Sequence, residues 1–309
     1  MGGIGVSIRQ KIYSASIAVL ALAAIISAKP AAADPWPGNK VLNGGKGYAT
    51  TPMGQVHYWD VGPRGDTSPI LLLHQSPMSM VEFAEIQTIF TELGKRTIAV
   101  DTPGYGMSDT PPTLPSIPEL ADNLVPVLDQ LKLRKVVVAG HHTGAAIAVA
   151  FAARHPDRTF ALVIQGVPLL TAEEDAKYLA RPAPFKTEPK QDGTPIGRGF
   201  PPPDDTHPVL SAREMANETW MTLTSYQVGQ DIFPSVFRYD MWPDVKKITA
   251  PGLILSDKQD IVFQGSTRFA ELRPDFTYEE FSQGGELGMM NNPERWSKTV
   301  ADFVASHVR

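Results

Sequence analysis

Short, largely apolar runs recur along the chain, separated by stretches in which apolar residues return every three or four positions. The runs are Ile70 to Leu73, Thr97 to Val100, Val136 to Ala139, Ala161 to Gln165 and Gly252 to Leu255. Each is too short for a buried helix and reads as a strand covered on both faces, the pattern of a parallel sheet. Helical spacing falls between them, over Val81 to Leu93, through Leu120, Leu124, Val127, Leu128 and Leu131, and over Ala145 to His155. Ser116-x-x-Glu119 opens the second helix as a capping box, and Pro126 predicts a kink or local opening within it. Ahead of the first run, Tyr48 to Thr51 and Gln55 to Val61 alternate around Pro52-Met53-Gly54 and predict two strands joined by a turn. Phe276 to Phe281 predicts a last strand, and Pro293 to His307 a closing helix.

Strands alternate with helices from Ile70 to Gln165. The expected fold class is therefore α/β, a doubly wound, mostly parallel sheet with right-handed crossovers. The rhythm breaks over residues 169–245, which hold eight prolines between Arg181 and Pro208 and no buried-strand run. This stretch reads as an inserted lid between a first part of the core, 34–168, and a second, 246–309. Its aromatic residues, Trp220, Tyr226 and Phe233 among them, either glue the lid to the core or line an apolar substrate pocket.

Residues 1–33 have the pattern of a secretory signal. Arg9 and Lys11 precede an apolar run of 12, Ile17 to Ala28, and Ala31-Ala32-Ala33 offers a cleavage site before Asp34. The run is short for a bilayer span. The expected location is periplasmic or secreted, with no stable membrane anchor after cleavage. The 309-residue chain carries a net charge of -5; losing residues 1–33 removes three of its 28 basic residues and none of its 33 acidic ones, giving 25 minus 33, or -8. A balance this acidic argues against a nucleic-acid partner, while the aromatic lid residues lead to a small, apolar molecule as the expected one. With no cysteine, disulfides and thiol nucleophiles are excluded.

The most informative stretch runs from Val136 to Ala146. Four apolar residues lead into Gly140-His141-His142-Thr143-Gly144, and a run rich in good helix formers follows. Strand, glycine-flanked turn and helix is the shape written G-x-S-x-G, in which the central residue is strained and small neighbours let strand and helix approach closely. The central residue here is His142.

Together with four further motifs in order, this stretch makes residues 48–307 resemble the alpha/beta-hydrolase fold. His74-Gln75-Ser76-Pro77-Met78-Ser79 resembles the oxyanion loop H-G-x-P-x-S, with Gln75 where glycine is usual. Asp101 to Asp109 resembles D-x-P-G-x-G-x-S-D. Asp257-Lys258-Gln259-Asp260 resembles G-x-x-D, the loop that supplies the triad acid. Gln283 to Gly288 resembles the G-x-G-H segment that supplies the triad histidine, with Glu286 in that place. Two of the three triad positions thus depart from the family pattern: His142 stands for the nucleophile, Glu286 for the histidine, and only Asp260 matches.

The two departures are complementary, the imidazole having moved to the turn and a carboxylate to its former place. The resemblance implies that His142, Asp260 and Glu286 converge, the acids fixing the ring tautomer and stabilising its charged form. A neighbouring carboxylate raises the pKa of such a ring and burial lowers it. The resemblance further implies an oxyanion hole from the amides of Ser76 and Thr143, with Gln75 narrowing the cavity. The leading expectation is hydrolysis of a small carbonyl compound (ester, lactone or amide) with His142 as general base or acid and no cofactor. The alternatives are a non-catalytic periplasmic ligand-binding protein on the same fold, and a metal site of His142, Asp260 and Glu286.

Other polar residues have structural readings. His141 packs against the oxyanion loop, His74 braces it, and His57 is structural or exposed. Asp101 and Ser108 stabilise their own turn. Asp257 is a charge near the site or a solvated loop acid. Glu173, Glu174 and Asp175 form a solvated helix face, and His307 a solvated helix end.

Overall fold

A computed structural model describes residues 44–180, 232–281 and 288–308 of the chain. All lie in the unit spanning Leu42–Arg309; a second unit, Met1–Val41, falls outside them. The expected signal is therefore outside the described residues, as is most of the expected lid. Among the described residues, no helix is long and apolar enough to cross a membrane.

Eight strands form one sheet: β1 (Gly44–Thr51), β2 (Gly54–Val61), β3 (Ile70–Leu73), β4 (Thr97–Val100), β5 (Val136–His141), β6 (Thr159–Gln165), β7 (Gly252–Asp257) and β8 (Thr277–Phe281). Their order is β1-β2-β4-β3-β5-β6-β7-β8. β1 and β2 pair antiparallel with each other, β2 pairs antiparallel with β4, and every later pair is parallel. The strand order reverses between β3 and β5, because the chain runs from β3 outward to β4 and then returns past it. In open α/β sheets, ligands bind beyond the carboxyl ends of the strands at such a switch point.

The apolar runs are buried on both faces, as predicted for parallel strands. Leu71, Leu73, Val136, Val138, Leu162, Ile164 and Ile254 face one core with α2 (Ile117–Asp122), α3 (Leu124–Gln130) and α4 (Thr143–Arg154). Ile70, Leu72, Val137, Ala139, Ala161, Val163, Leu253 and Leu255 face the other. There they meet Ile86 and Phe90 of α1 (Ala84–Glu92) and Trp296, Val300 and Phe303 of the closing helix, whose range is Pro293–His307 as expected. A 3-10 turn, Met80–Phe83, precedes α1, so the helix starts later than its spacing suggested.

The capping box at Ser116 is present, with Glu119 N–H donating to the Ser116 hydroxyl and the Glu119 carboxylate accepting from Ser116 N–H. The expected kink lies at Asn123, where α2 ends and α3 begins. Pro126 explains the position: it has no N–H for the carbonyl four residues back, that of Asp122, so the ladder opens one turn before the proline. Between β6 and β7 the described residues hold three helices and no strand: α5 (Ala172–Leu179), α6 (Phe233–Phe237) and α7 (Trp242–Lys247).

Candidate active site

The turn between β5 and α4 is a single residue. His142 has φ 47° and ψ −108°, in the left-handed half of backbone space where a side chain costs about 1–3 kcal/mol. Its backbone is pinned on both sides: its N–H donates to the Gln165 carbonyl at 3.0 Å, and its carbonyl accepts from Ala146 N–H at 3.0 Å. The flanking glycines are required by close approach. A Cβ on Gly140 would lie 2.1 Å from the Gly144 carbonyl oxygen, and one on Gly144 would lie 2.0 Å from that of Leu73. α4 can therefore start hard against β3 and β5, with His142 at the tip.

The His142 ring meets Asp260, which lies three residues beyond the end of β7. Nε2 is 3.0 Å from both Asp260 carboxylate oxygens. Asp260 is 5 % exposed, and its Oδ1 also accepts from Val262 N–H at 2.9 Å. Burial, the largest influence, pushes its pKa up; the His142 charge, the His142 hydrogen bond and the Val262 amide outweigh it and hold the carboxyl below its ordinary value. An ionised carboxylate only accepts, so His142 donates to Asp260 from Nε2–H. This is the reverse of the arrangement in a Ser-His-Asp triad, where the acid holds Nδ1–H and Nε2 does the chemistry.

Gly166, just past β6, makes room for this pairing. At φ 56°, a Cβ there would stand 2.3 Å from His142 Cδ2, 2.5 Å from His142 Nε2 and 2.5 Å from Asp260 Oδ2. Nothing in the sequence reading singled it out, although it follows an apolar strand run directly, where a glycine signals a turn or a close approach.

The loop after β3 is braced from two sides. His74, fully buried, donates from Nδ1 to the Gln75 carbonyl at 2.7 Å and accepts at Nε2 from Thr102 N–H at 2.9 Å. Both ring nitrogens are thereby used, and His74 is the brace the sequence suggested. Gln75 N–H donates to Glu82 Oε2 at 3.1 Å, and the other Glu82 oxygen pairs with Nδ1 of His141. The His141 ring lies against that of His142, centroids 4.5 Å apart and planes tilted by 55°. His141 is tied to the loop after β3 through Glu82, a buried acid that belongs to none of the sequence motifs. Ser76 is buried on this loop, and Thr143 is the first residue of α4, so its amide has no carbonyl to bond within the helix.

Of the remaining candidates, Glu286, Trp220 and Tyr226 lie outside the described residues. Phe233 is in α6 and only partly buried; its ring meets Phe237 edge-on at 4.7 Å, and Phe237 stacks on Tyr178 of α5 at 4.5 Å. That places Phe233 in an aromatic cluster joining α5 to α6. Gln75 is buried, its backbone committed to the His74 and Glu82 bonds.

His57 is buried, with Nδ1 2.7 Å from Asp101 Oδ2. Asp101 does stabilise its own turn, accepting from Met107 N–H, but it also reaches Met80 N–H at 2.8 Å. Asp257 is buried rather than solvated and accepts from Gln259 N–H. The acids at the start of α5 need a correction. Glu174 is no solvated bystander: it closes a capping box with Thr171 and binds Arg268 through two 2.7 Å contacts. Among the described residues, no group of three potential metal ligands comes together.

The sequence profile of the alpha/beta hydrolase fold matches residues 68–293. Among characterised proteins, the chain is 37 % identical over 124 residues to a haloalkane dehalogenase from Psychrobacter cryohalolentis, covering 39 % of this chain and 40 % of that one. It is also 37 % identical over 120 residues to epoxide hydrolase 3 from Siraitia grosvenorii, covering 37 % of each. The chain thus spans about two fifths of the length of these relatives. Among solved structures, an esterase from Exiguobacterium antarcticum superposes with a TM-score of 0.65 at 21 % identity, over 84 % of this chain and 98 % of that one.

Proposed function

The chain belongs to the alpha/beta hydrolase fold family, and we propose that it hydrolyses a small ester, lactone or amide with His142 as the general base in place of a nucleophilic hydroxyl. The observation that carries this reading is the strained turn residue His142 with its ring held on a buried, ionised carboxylate. Strain of this kind persists where the surrounding structure holds it in place, and it clusters at active sites.

In this reading, water attacks the substrate carbonyl as its proton passes to His142 Nδ1. The new C–O bond drives the carbonyl electrons onto oxygen, which the Ser76 and Thr143 amides receive. As that intermediate collapses, the leaving oxygen or nitrogen takes the proton back from Nδ1 and departs as alcohol or amine, leaving the acid. Asp260 holds Nε2–H throughout and stabilises the transient imidazolium. Glu286 is assigned as the second carboxylate from its place in the sequence alone.

The test is turnover of a panel of p-nitrophenyl esters, lactones and anilides by the purified full chain. His142→Ala is expected to lower kcat by roughly 10²–10⁴-fold, the usual contribution of a positioned acid–base group; Asp260→Asn and Glu286→Gln should lower it by lesser amounts. Turnover that survives His142→Ala, or stoichiometric labelling of Ser76 or Ser79 by a serine-reactive phosphonate, would reassign the roles.

A further inference from the structure

The second carboxylate–imidazole pair has no part in the steps above. Glu82 and His141 are 4 % and 1 % exposed, and their side chains meet through Nδ1 and Oε1. His141 continues the row Val137, Ala139 on the sheet face packed by α1 and the closing helix, where its neighbours in the core are apolar. An apolar pair of similar volume would occupy such a place at lower cost than a buried acid and base. The polar pair is also tied to both halves of the site. One Glu82 oxygen holds His141, whose ring lies against His142 at 4.5 Å. The other holds the amide of Gln75, the residue before Ser76. Glu82 itself is seated firmly: its N–H donates to the Ser79 carbonyl at 3.0 Å, and its turn is fixed by the bond from Met80 N–H to Asp101.

We propose that Glu82 is the positioning residue of this site, one buried carboxylate that sets the His142 ring through His141 and the oxyanion loop through Gln75. The inference rests on reading His142 as the base and Ser76 as an oxyanion donor. It assigns Glu82 no contact with the reacting atoms. As a carboxylate, Glu82 can only accept at Oε1, which in this proposal sets the His141 proton on Nδ1.

Glu82→Gln tests this with little change of shape. The amide oxygen can still accept from Gln75, but its NH₂ must face His141 Nδ1 and drive that proton to Nε2. Two measurements are made on the full chain: ¹⁵N spectra of the histidine rings without ligand, and kcat and KM on a p-nitrophenyl ester. The expected result is a His141 ring moved from the Nδ1–H to the Nε2–H form, His142 ring resonances shifted by the displaced neighbour while still held on Asp260, kcat at least about tenfold lower and KM within about threefold. Glu82→Asp should recover part of kcat. His141→Phe, which keeps a ring against His142 but drops the Glu82 bond, should lower kcat similarly and serves if the glutamine variant does not fold.

A folded Glu82→Gln or His141→Phe protein with wild-type His142 ring resonances and wild-type kcat would overturn the proposal. A wild-type chain without His142-dependent turnover would instead sink the hydrolytic reading, and the ring spectra would still decide whether Glu82 positions His142.

Discussion

Gly166 is the smallest residue of the site and one of its most constrained. Its left-handed backbone conformation costs a side chain about 1–2 kcal/mol, and the added carbon would stand within 2.5 Å of both His142 and Asp260. Neither is a flexible chain end: the His142 backbone is pinned at both sides and Asp260 is buried. Gly166→Ala must therefore push the imidazole off its carboxylate. The expected outcome is a fall in melting temperature of several degrees, on the scale set by a loss of roughly 1–3 kcal/mol, together with a kcat close to that of His142→Ala. Thermal unfolding and ester turnover measure the two effects separately. A glycine variant that melts lower yet keeps the wild-type kcat would show that the His142–Asp260 contact is structural. The residue escaped sequence reading because one glycine after a strand predicts only a turn; what it clears is the ring of a residue from another strand's end.

At the scale of elements, local signals were legible and long-range ones were not. The buried strands, the box at Ser116 and the closing helix are written in neighbouring residues, and they stand where the pattern put them. Thr171-x-x-Glu174 is the same capping signal, yet the run Glu173-Glu174-Asp175 reads as a solvated face because the deciding partner, Arg268, is 94 residues away on α8 (Phe263–Leu272). Likewise Glu82, one acid in an otherwise apolar turn, gains meaning only from Gln75 and His141. Of the candidate site, the meeting of His142 with Asp260 and the brace at His74 were legible because each residue stands at or just past a strand end within a motif. Arg268 and the Thr171 cap hold the Glu174 carboxyl down at about 2. A depressed acid stabilises the fold above its ordinary pKa, near 4.3, and that stabilisation is lost as pH falls toward about 2. The Arg268 and Glu174 side chains are 24 % and 31 % exposed, so solvent limits the pair's worth to about 1 kcal/mol or less. Wild type should therefore unfold slightly later than Glu174→Gln at pH 7, and the two melting temperatures should converge near pH 2. Thr171→Ala should cost about 1 kcal/mol through the lost cap. A difference that persists unchanged at pH 2 would assign the effect to packing.

For the whole molecule, the decisive feature is that the sheet brings strand ends far apart in sequence to one edge. β3 and β5 are neighbours there, with Leu73 opposite Gly140. β5, β6 and β7 deliver His142, Gly166 and Asp260. Such a frame is indifferent to which side chain sits at the turn tip, provided the flanking glycines allow the close approach and the acid stays buried. On the proposed reading, the residues at the usual nucleophile and histidine positions should then be exchangeable as a pair. If His142 and Glu286 have traded places within one pocket, restoring both should rebuild a hydroxyl nucleophile with its base, whereas restoring either alone should not. His142→Ser leaves the hydroxyl without an imidazole, and Glu286→His leaves two imidazoles without a hydroxyl. A serine-reactive phosphonate should accordingly label the double variant His142→Ser/Glu286→His at position 142 and leave wild type and both single variants unlabelled there, as read by intact-mass and peptide analysis. Labelling of His142→Ser alone would mean that some other group activates the hydroxyl, and Glu286 would lose its assignment. A folded double variant that resists labelling would mean that position 286 does not reach the turn, leaving Asp260 as the partner to which the chemistry of His142 must be referred.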